Sequence, residues 1–162
     1  MELEVTDTIN AVSETEWEKV AGANVEQSYR WFRAIEESGM RTMRYVLLKE
    51  KGNLRAAACC YLIRERLHNI EMQFLEVRSP LGTSLTFFSE TPQHASLLMK
   101  GLEEIQKREG AYGILILDLR KKEFETVKNQ VEGFMEFPMG ETTYIDLDFA
   151  DFDDYLSSLD GQ

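Results

Sequence analysis

The segment Ala111-Tyr112-Gly113-Ile114-Leu115-Ile116-Leu117-Asp118-Leu119-Arg120 constrains the fold more than any other stretch of the chain. It is continuously apolar, starts directly after a glycine stop and ends at charge, a pattern that suits a strand covered on both faces. A long amphipathic helix precedes it. Thr91 caps that helix, and Pro92 sits in the first turn, where its missing amide costs nothing. Ala95, Leu98, Met99, Leu102 and Ile105 then keep helical spacing until Gly110 ends it. Upstream of the helix, Ile70 to Val77 alternates as a strand. A strand, a helix and a strand in one sheet imply a parallel, right-handed crossover. Ile70–Val77 and Ala111–Arg120 are therefore expected side by side and parallel, with the second segment central in the sheet.

The rest of the chain supplies more strands and short helices. Residues 2 to 7 alternate around Leu3 and Val5. Ser13-Glu14-Thr15-Glu16 is a capping-box pattern opening a helix that carries Trp17 and Val20 and stops near Gly22. A second helix, from about Gln27 to Ser38, places Trp31, Phe32 and Ile35 on one face and ends at Gly39. Met43 to Lys49 and Leu54 to Arg64 read as two strands joined by a tight hairpin at Glu50-Lys51-Gly52-Asn53. The small side chains Ala56-Ala57-Ala58-Cys59-Cys60 predict a helix packed close above the return strand. With Ile70–Val77, these strands form an antiparallel meander. Arg78 to Ser84 reads as a loop, and Leu85 to Phe88 as a short extended piece. After the apolar run come a helix over about Lys122 to Val131, short strands at Gly133–Pro138 and Thr142–Leu147, and a tail helix with Phe152, Tyr155, Leu156 and Leu159 in register. Nothing marks an internal boundary, so residues 1–162 read as one domain of mixed α/β (α+β) class.

Composition narrows the function. The net charge of −11 argues against unspecific binding to DNA or anionic lipid. No apolar run reaches the roughly 20 residues of a membrane span, and Met1-Glu2-Leu3-Glu4 lacks the start of a secretory signal. Cys59 and Cys60 are adjacent, so within a strand they face opposite sides and read as reduced, buried thiols. The expectation is a cytoplasmic protein. His68 and His94 have no partners at metal-ligand spacing and read as surface residues; no metal is expected.

The element order β-α-α-β-β-β-α-β-α-β-β resembles the GNAT superfamily of N-acyltransferases. Within it, Gly133-Phe134, Thr143-Tyr144-Ile145-Asp146-Leu147 and Phe152-Asp153-Asp154-Tyr155-Leu156-Ser157-Ser158-Leu159 look like one half of a FemAB-type chain, which is built from two GNAT-like domains. Ser28 to Glu36 resembles the early tryptophan-bearing helix of that family. The resemblance implies a mixed central sheet flanked by helices and transfer of an acyl or aminoacyl group to a small-molecule or peptide amine. It also implies an acyl-CoA or charged-tRNA donor, no covalently bound cofactor, and a partner that is a second GNAT-like domain beyond Gln162 or another copy of this chain. The acidic charge weighs against the tRNA donor.

The resemblance also names positions. In active members a Q/R-x-x-G-x-G/A loop after the fourth strand runs into a helix whose free amides bind the coenzyme A pyrophosphate. The corresponding segment here offers Arg78, Gly82, Thr83 and Ser84 for the donor. It has one glycine, Pro80 removes an amide, and the next helix starts some residues on, so a plain connecting loop is the other reading. Ligands favour the carboxyl ends of parallel strands. There Glu76 or Asp118 are candidates for the base that takes the amine proton, and Tyr144 for an acid. The alternative for the carboxylates is pairing with the neighbouring arginines. Arg120-Lys121-Lys122 is a candidate phosphate contact or a solvated helix start. Two functions stay open: an N-acyltransferase-like domain, or a non-catalytic GNAT-like half that recognises substrate or packs on an active partner.

Overall fold

The computed structural model of the protein describes residues 1–22, 24–119, 121–128, 133–137 and 150–159. Its strands are β1 (Glu2–Thr6), β2 (Met43–Glu50), β3 (Asn53–Leu67), β4 (Ile70–Val77), β5 (Phe87–Phe88) and β6 (Gly113–Ile116). Its helices are α1 (Glu14–Ala21), α2 (Tyr29–Ser38), α3 (Pro92–Glu109), α4 (Lys121–Lys128) and α5 (Phe152–Leu159). Among the described residues the strands form one six-stranded sheet in the order β1-β2-β3-β4-β6, with β5 attached to β3. The first four are antiparallel neighbours, and β4 and β6 run parallel.

Short-range chemistry sets most of the boundaries. Lys51 and Gly52 both adopt positive φ, 50° and 81°, as a two-residue hairpin turn between β2 and β3 requires. The hydroxyls of Ser13, Ser28 and Thr91 accept from the amides of Glu16, Trp31 and His94, capping α1, α2 and α3. Ser13 also donates to Glu16 at 2.8 Å, and that hydrogen bond holds the Glu16 carboxyl below its ordinary value.

Two apolar layers flank the sheet. On one face Ala56, Ala58 and Cys60 of β3, with Val46, Leu48, Leu75 and Val77, meet Ala95, Leu98, Leu102 and Ile105 of α3. The small side chains of β3 are what let α3 come down so close. On the other face Ala57 and Cys59 lie with Tyr45, Trp17 and Phe32. Trp17 meets Phe32, Tyr45 and Phe88 edge-on, with ring centroids 5.6, 6.2 and 5.7 Å apart. Cys59 and Cys60 are free, fully buried and on opposite faces, and burial pushes both thiols up.

Three expectations need correction. The Ala111–Arg120 run is not a strand buried on both faces along its length. β6 spans four residues, all half-buried, and ends the strand order among the described residues. Residues 133–137 form no strand, and Met135 and Phe137 are exposed. Phe87 and Phe88 do more than extend a loop, because they pair with Ala58 and Ala57 and so re-enter the sheet. Thr142–Leu147, Val131, Pro138 and Arg120 lie outside the described residues.

Candidate active site

The β4–β6 pairing runs from Phe74↔Gly113 to Val77↔Ile116 and stops there. Arg78 follows directly on β4, and Asp118 stands two residues beyond the end of β6 with φ of 57°, a left-handed conformation. The Arg78 guanidinium joins the two ends. Its Nη2 lies 2.6 Å from Glu76 Oε1, and its Nη1 donates to Asp118 Oδ2 at 2.8 Å. Glu76 itself is 3% exposed, so its carboxylate lies beneath the guanidinium.

A fourth group completes the cluster. Tyr61 stands opposite Glu76 in the antiparallel β3–β4 register, and its hydroxyl donates to Glu76 Oε1 at 2.6 Å. Burial, and then the hydrogen bond to Glu76, push the Tyr61 phenol up to about 12, so it remains a proton donor at neutral pH. Arg41 stacks its guanidinium 5.4 Å from the same ring. Burial pulls the Arg78 guanidinium down, but the bond to Asp118 and the nearby Glu76 charge outweigh it, so the net shift is upward. Among the described residues the buried Arg78 Nε has no hydrogen-bond partner. Both carboxylates thus meet one fixed cation, with Asp118 the more open: its side chain is 22% exposed against 4% for Glu76.

The loop after β4 leaves the sheet and returns to it. Ser79 N–H donates to Ser84 O at 2.8 Å across its base, and Cys59 N–H donates to Thr86 O at 2.9 Å where β5 rejoins β3. Helix α3 begins only at Pro92, so the loop does not run into a helix start. Its donors face Glu26, which lies in a single 3-10 turn, Val25–Gln27, ahead of α2. The Glu26 Oε2 accepts from Thr83 N–H at 3.0 Å and from Ser84 Oγ at 2.8 Å. The Gly82 backbone lies so close that a Cβ there would meet the Glu26 carboxylate.

The fold therefore brings Glu76, Arg78 and Asp118 into one cluster and places Gly82, Thr83 and Ser84 together against Glu26. Tyr144, the candidate acid, lies outside the described residues, as does Arg120 of the basic run. Sequence reasoning missed Tyr61 and Glu26. Tyr61 becomes visible only once the β3–β4 register is known, and no local pattern links Glu26 to a loop 57 residues away. His68 is exposed in the β3–β4 turn, and His94 is half-buried, its Nδ1 without a partner among the described residues. Among the described residues no cluster of His, Cys, Asp and Glu could hold a metal, and no helix is long and apolar enough to cross a membrane.

An antiparallel meander followed by a crossover helix and a parallel strand, with two helices between β1 and β2, is the fold of the GNAT N-acetyltransferases. No protein-family model and no curated protein matches the sequence. Solved structures do. A ribosomal-protein-alanine N-acetyltransferase from Brucella melitensis biovar Abortus 2308 is similar at TM-score 0.59 and 8% identity, over 89% of this chain and 100% of that one. The aminoglycoside N-acetyltransferase AAC(6')-Iy, solved in complex with CoA, is similar at TM-score 0.57 and 8% identity, over 90% of this chain and 100% of that one. TTHA1254 from Thermus thermophilus is similar at TM-score 0.56 and 15% identity, over 88% of this chain and 96% of that one. At these identities the likeness is one of fold.

Proposed function

We propose that the chain is an N-acyltransferase domain that moves an acyl or aminoacyl group from an activated donor, an acyl-CoA in the first instance, to a small-molecule or peptide amine. The observation that carries this is the Tyr61–Glu76–Arg78–Asp118 cluster at the carboxyl ends of two parallel strands, where open sheets bind ligands. In the step, the amine nitrogen attacks the donor carbonyl carbon, a C–N bond forms, the C–S bond breaks and the thiolate leaves. Asp118, the more open carboxylate, takes the amine proton directly or through water. Arg78 positions Asp118, and Glu76 with Tyr61 positions Arg78. Tyr144 is the residue for protonating the leaving thiolate. The resemblance of the FemAB-like stretches favours a second GNAT-like domain, or a second copy of this chain, as partner, and the buried reduced cysteines favour a cytoplasmic setting.

The test is calorimetric titration with acetyl-CoA, followed by release of free thiol in the presence of an amine. Binding at or below about 1 mM (about −4 kcal/mol), weakened by Gly82→Pro, supports the reading. Asp118→Asn is expected to lower turnover by about 10²-fold or more. The engagement of the loop by Glu26 favours a second reading, a non-catalytic GNAT-like half that packs on an active partner. Absence of both binding and turnover in the full chain selects that one.

A further inference from the structure

The Glu26 carboxylate has an unusual set of neighbours. Two neutral donors, the Thr83 amide and the Ser84 hydroxyl, converge on one oxygen at 3.0 and 2.8 Å. Among the described residues it makes no ion pair, although the chain carries 18 lysines and arginines. The missing Cβ of Gly82 leaves the space in which the carboxylate sits. One backbone amide and one hydroxyl converging beside a glycine are neutral donors of the kind with which loops hold phosphate oxygens.

The segment that brings the carboxylate there is short and polar. Ser79 Oγ donates to Glu26 O at 2.6 Å, Asn24 Nδ2 donates to Ser84 Oγ at 3.0 Å, and Gln27 Nε2 donates to Leu85 O at 2.6 Å. Val25, in the same turn, is 70% exposed. The turn is also tied to the core, where the buried Trp17 Nε1 donates to Gln27 O at 2.8 Å, so release of the carboxylate needs only its own bonds to Thr83 and Ser84 to break.

We propose that Glu26 is a tethered ligand of the 79–84 loop: the loop is a cradle for a phosphate-type anion, and the 24–27 turn must release it before such an anion enters. The inference rests on reading this loop as the entry point for the phosphates of the donor, and it is tested without acyl chemistry. Inorganic pyrophosphate is titrated into the full chain and into its Glu26→Ala and Glu26→Gln variants by calorimetry, with circular dichroism as the check on folding. The Thr83 amide resonance is followed in parallel. Glu26→Ala is expected to bind at least tenfold more tightly than the parent chain, Glu26→Gln by an intermediate factor, and the Thr83 amide is expected to move with occupancy. Should Glu26→Ala not fold, Glu26→Gln decides, because it keeps the size and the acceptor and removes only the charge. Folded variants that bind no more tightly than the parent overturn the proposal, as does tighter binding that leaves the Thr83 amide unmoved. Pyrophosphate binding gained without any acetyl-CoA turnover upholds the tethered ligand and counts against the acyltransfer reading alone.

Discussion

Arg78→Met removes the cation that joins β4 to the chain beyond β6 and keeps most of the apolar stem. In the parent chain the guanidinium lies 2.6 Å from Glu76 and 2.8 Å from Asp118. Its loss leaves Glu76, 3% exposed, with the Tyr61 hydroxyl as its remaining partner among the described residues. Breaking a buried pair from one side costs about 3–5 kcal/mol. Here the Arg78 side chain is 30% exposed and that of Asp118 22% exposed, so water screens part of the interaction and about 2–3 kcal/mol is expected. For a domain of this size that corresponds to a Tm lower by roughly 5–10 °C. Urea unfolding at unchanged m measures it. Adding Glu76→Gln removes the stranded charge, so the double variant should recover about 1–2 kcal/mol relative to the sum of the single effects. An Arg78→Met chain within about 0.5 kcal/mol of the parent, or one showing no coupling to Glu76→Gln, would refute the bridge.

Three further outcomes are expected. Gly101 of α3 faces Val46 so closely that a Cβ would collide with its side chain. Gly101→Ala should therefore destabilise by about 1–3 kcal/mol despite the helix-propensity gain, with partial rescue by Val46→Ala; a neutral result in thermal unfolding counts against the packing. The Tyr61 phenol, raised to about 12 from 10.0, keeps its proton in the folded chain where the unfolded chain loses it. Its contribution is present below pH 10 and fades between there and 12; the parent-minus-Tyr61→Phe absorbance titration should show that late step, and a midpoint at 10 would contradict it. A hydrogen bond from Arg44 at 3.0 Å holds Glu109 below its ordinary 4.5, so its contribution is present above that value and is lost as pH falls through the lower folded one. The stability gap between parent and Glu109→Gln, about 0.5 kcal/mol after screening, should close on acidification.

What could be read from the chain was what local chemistry decides. Ser13, Thr91-Pro92, Gly39, Gly110 and Lys51-Gly52 act within a few residues of themselves, and each element they bound is present. The alanines and cysteines of β3 forecast the close approach of α3, since only small side chains leave room for it. The Ala111–Arg120 run misled because continuous apolarity reports a tendency to be covered, while actual cover depends on distant neighbours; β6 is half-buried throughout. The same reason hid β5, whose partner Ala57–Ala58 lies some thirty positions earlier in the chain. Of the candidate site, Glu76, Arg78 and Asp118 could be grouped because the parallel pairing of β4 and β6 was legible, although β6 stops at Ile116, two residues short of Asp118. Tyr61 and Glu26 could not be, because their contacts arise from register and from the folding back of the α1–α2 connection.

The proposed function requires an acyl donor to bind at the end of the β4–β6 pairing and the loop beyond it. Acetyl-CoA titrated into the isotope-labelled full chain, into the millimolar range, tests this by amide resonances. Shifts concentrated at Val77 to Ser84 and Leu117 to Leu119, growing to saturation and enlarged in Glu26→Ala, are the predicted result. A chain whose amides there stay still while others move, or whose spectrum does not change at all, contradicts it.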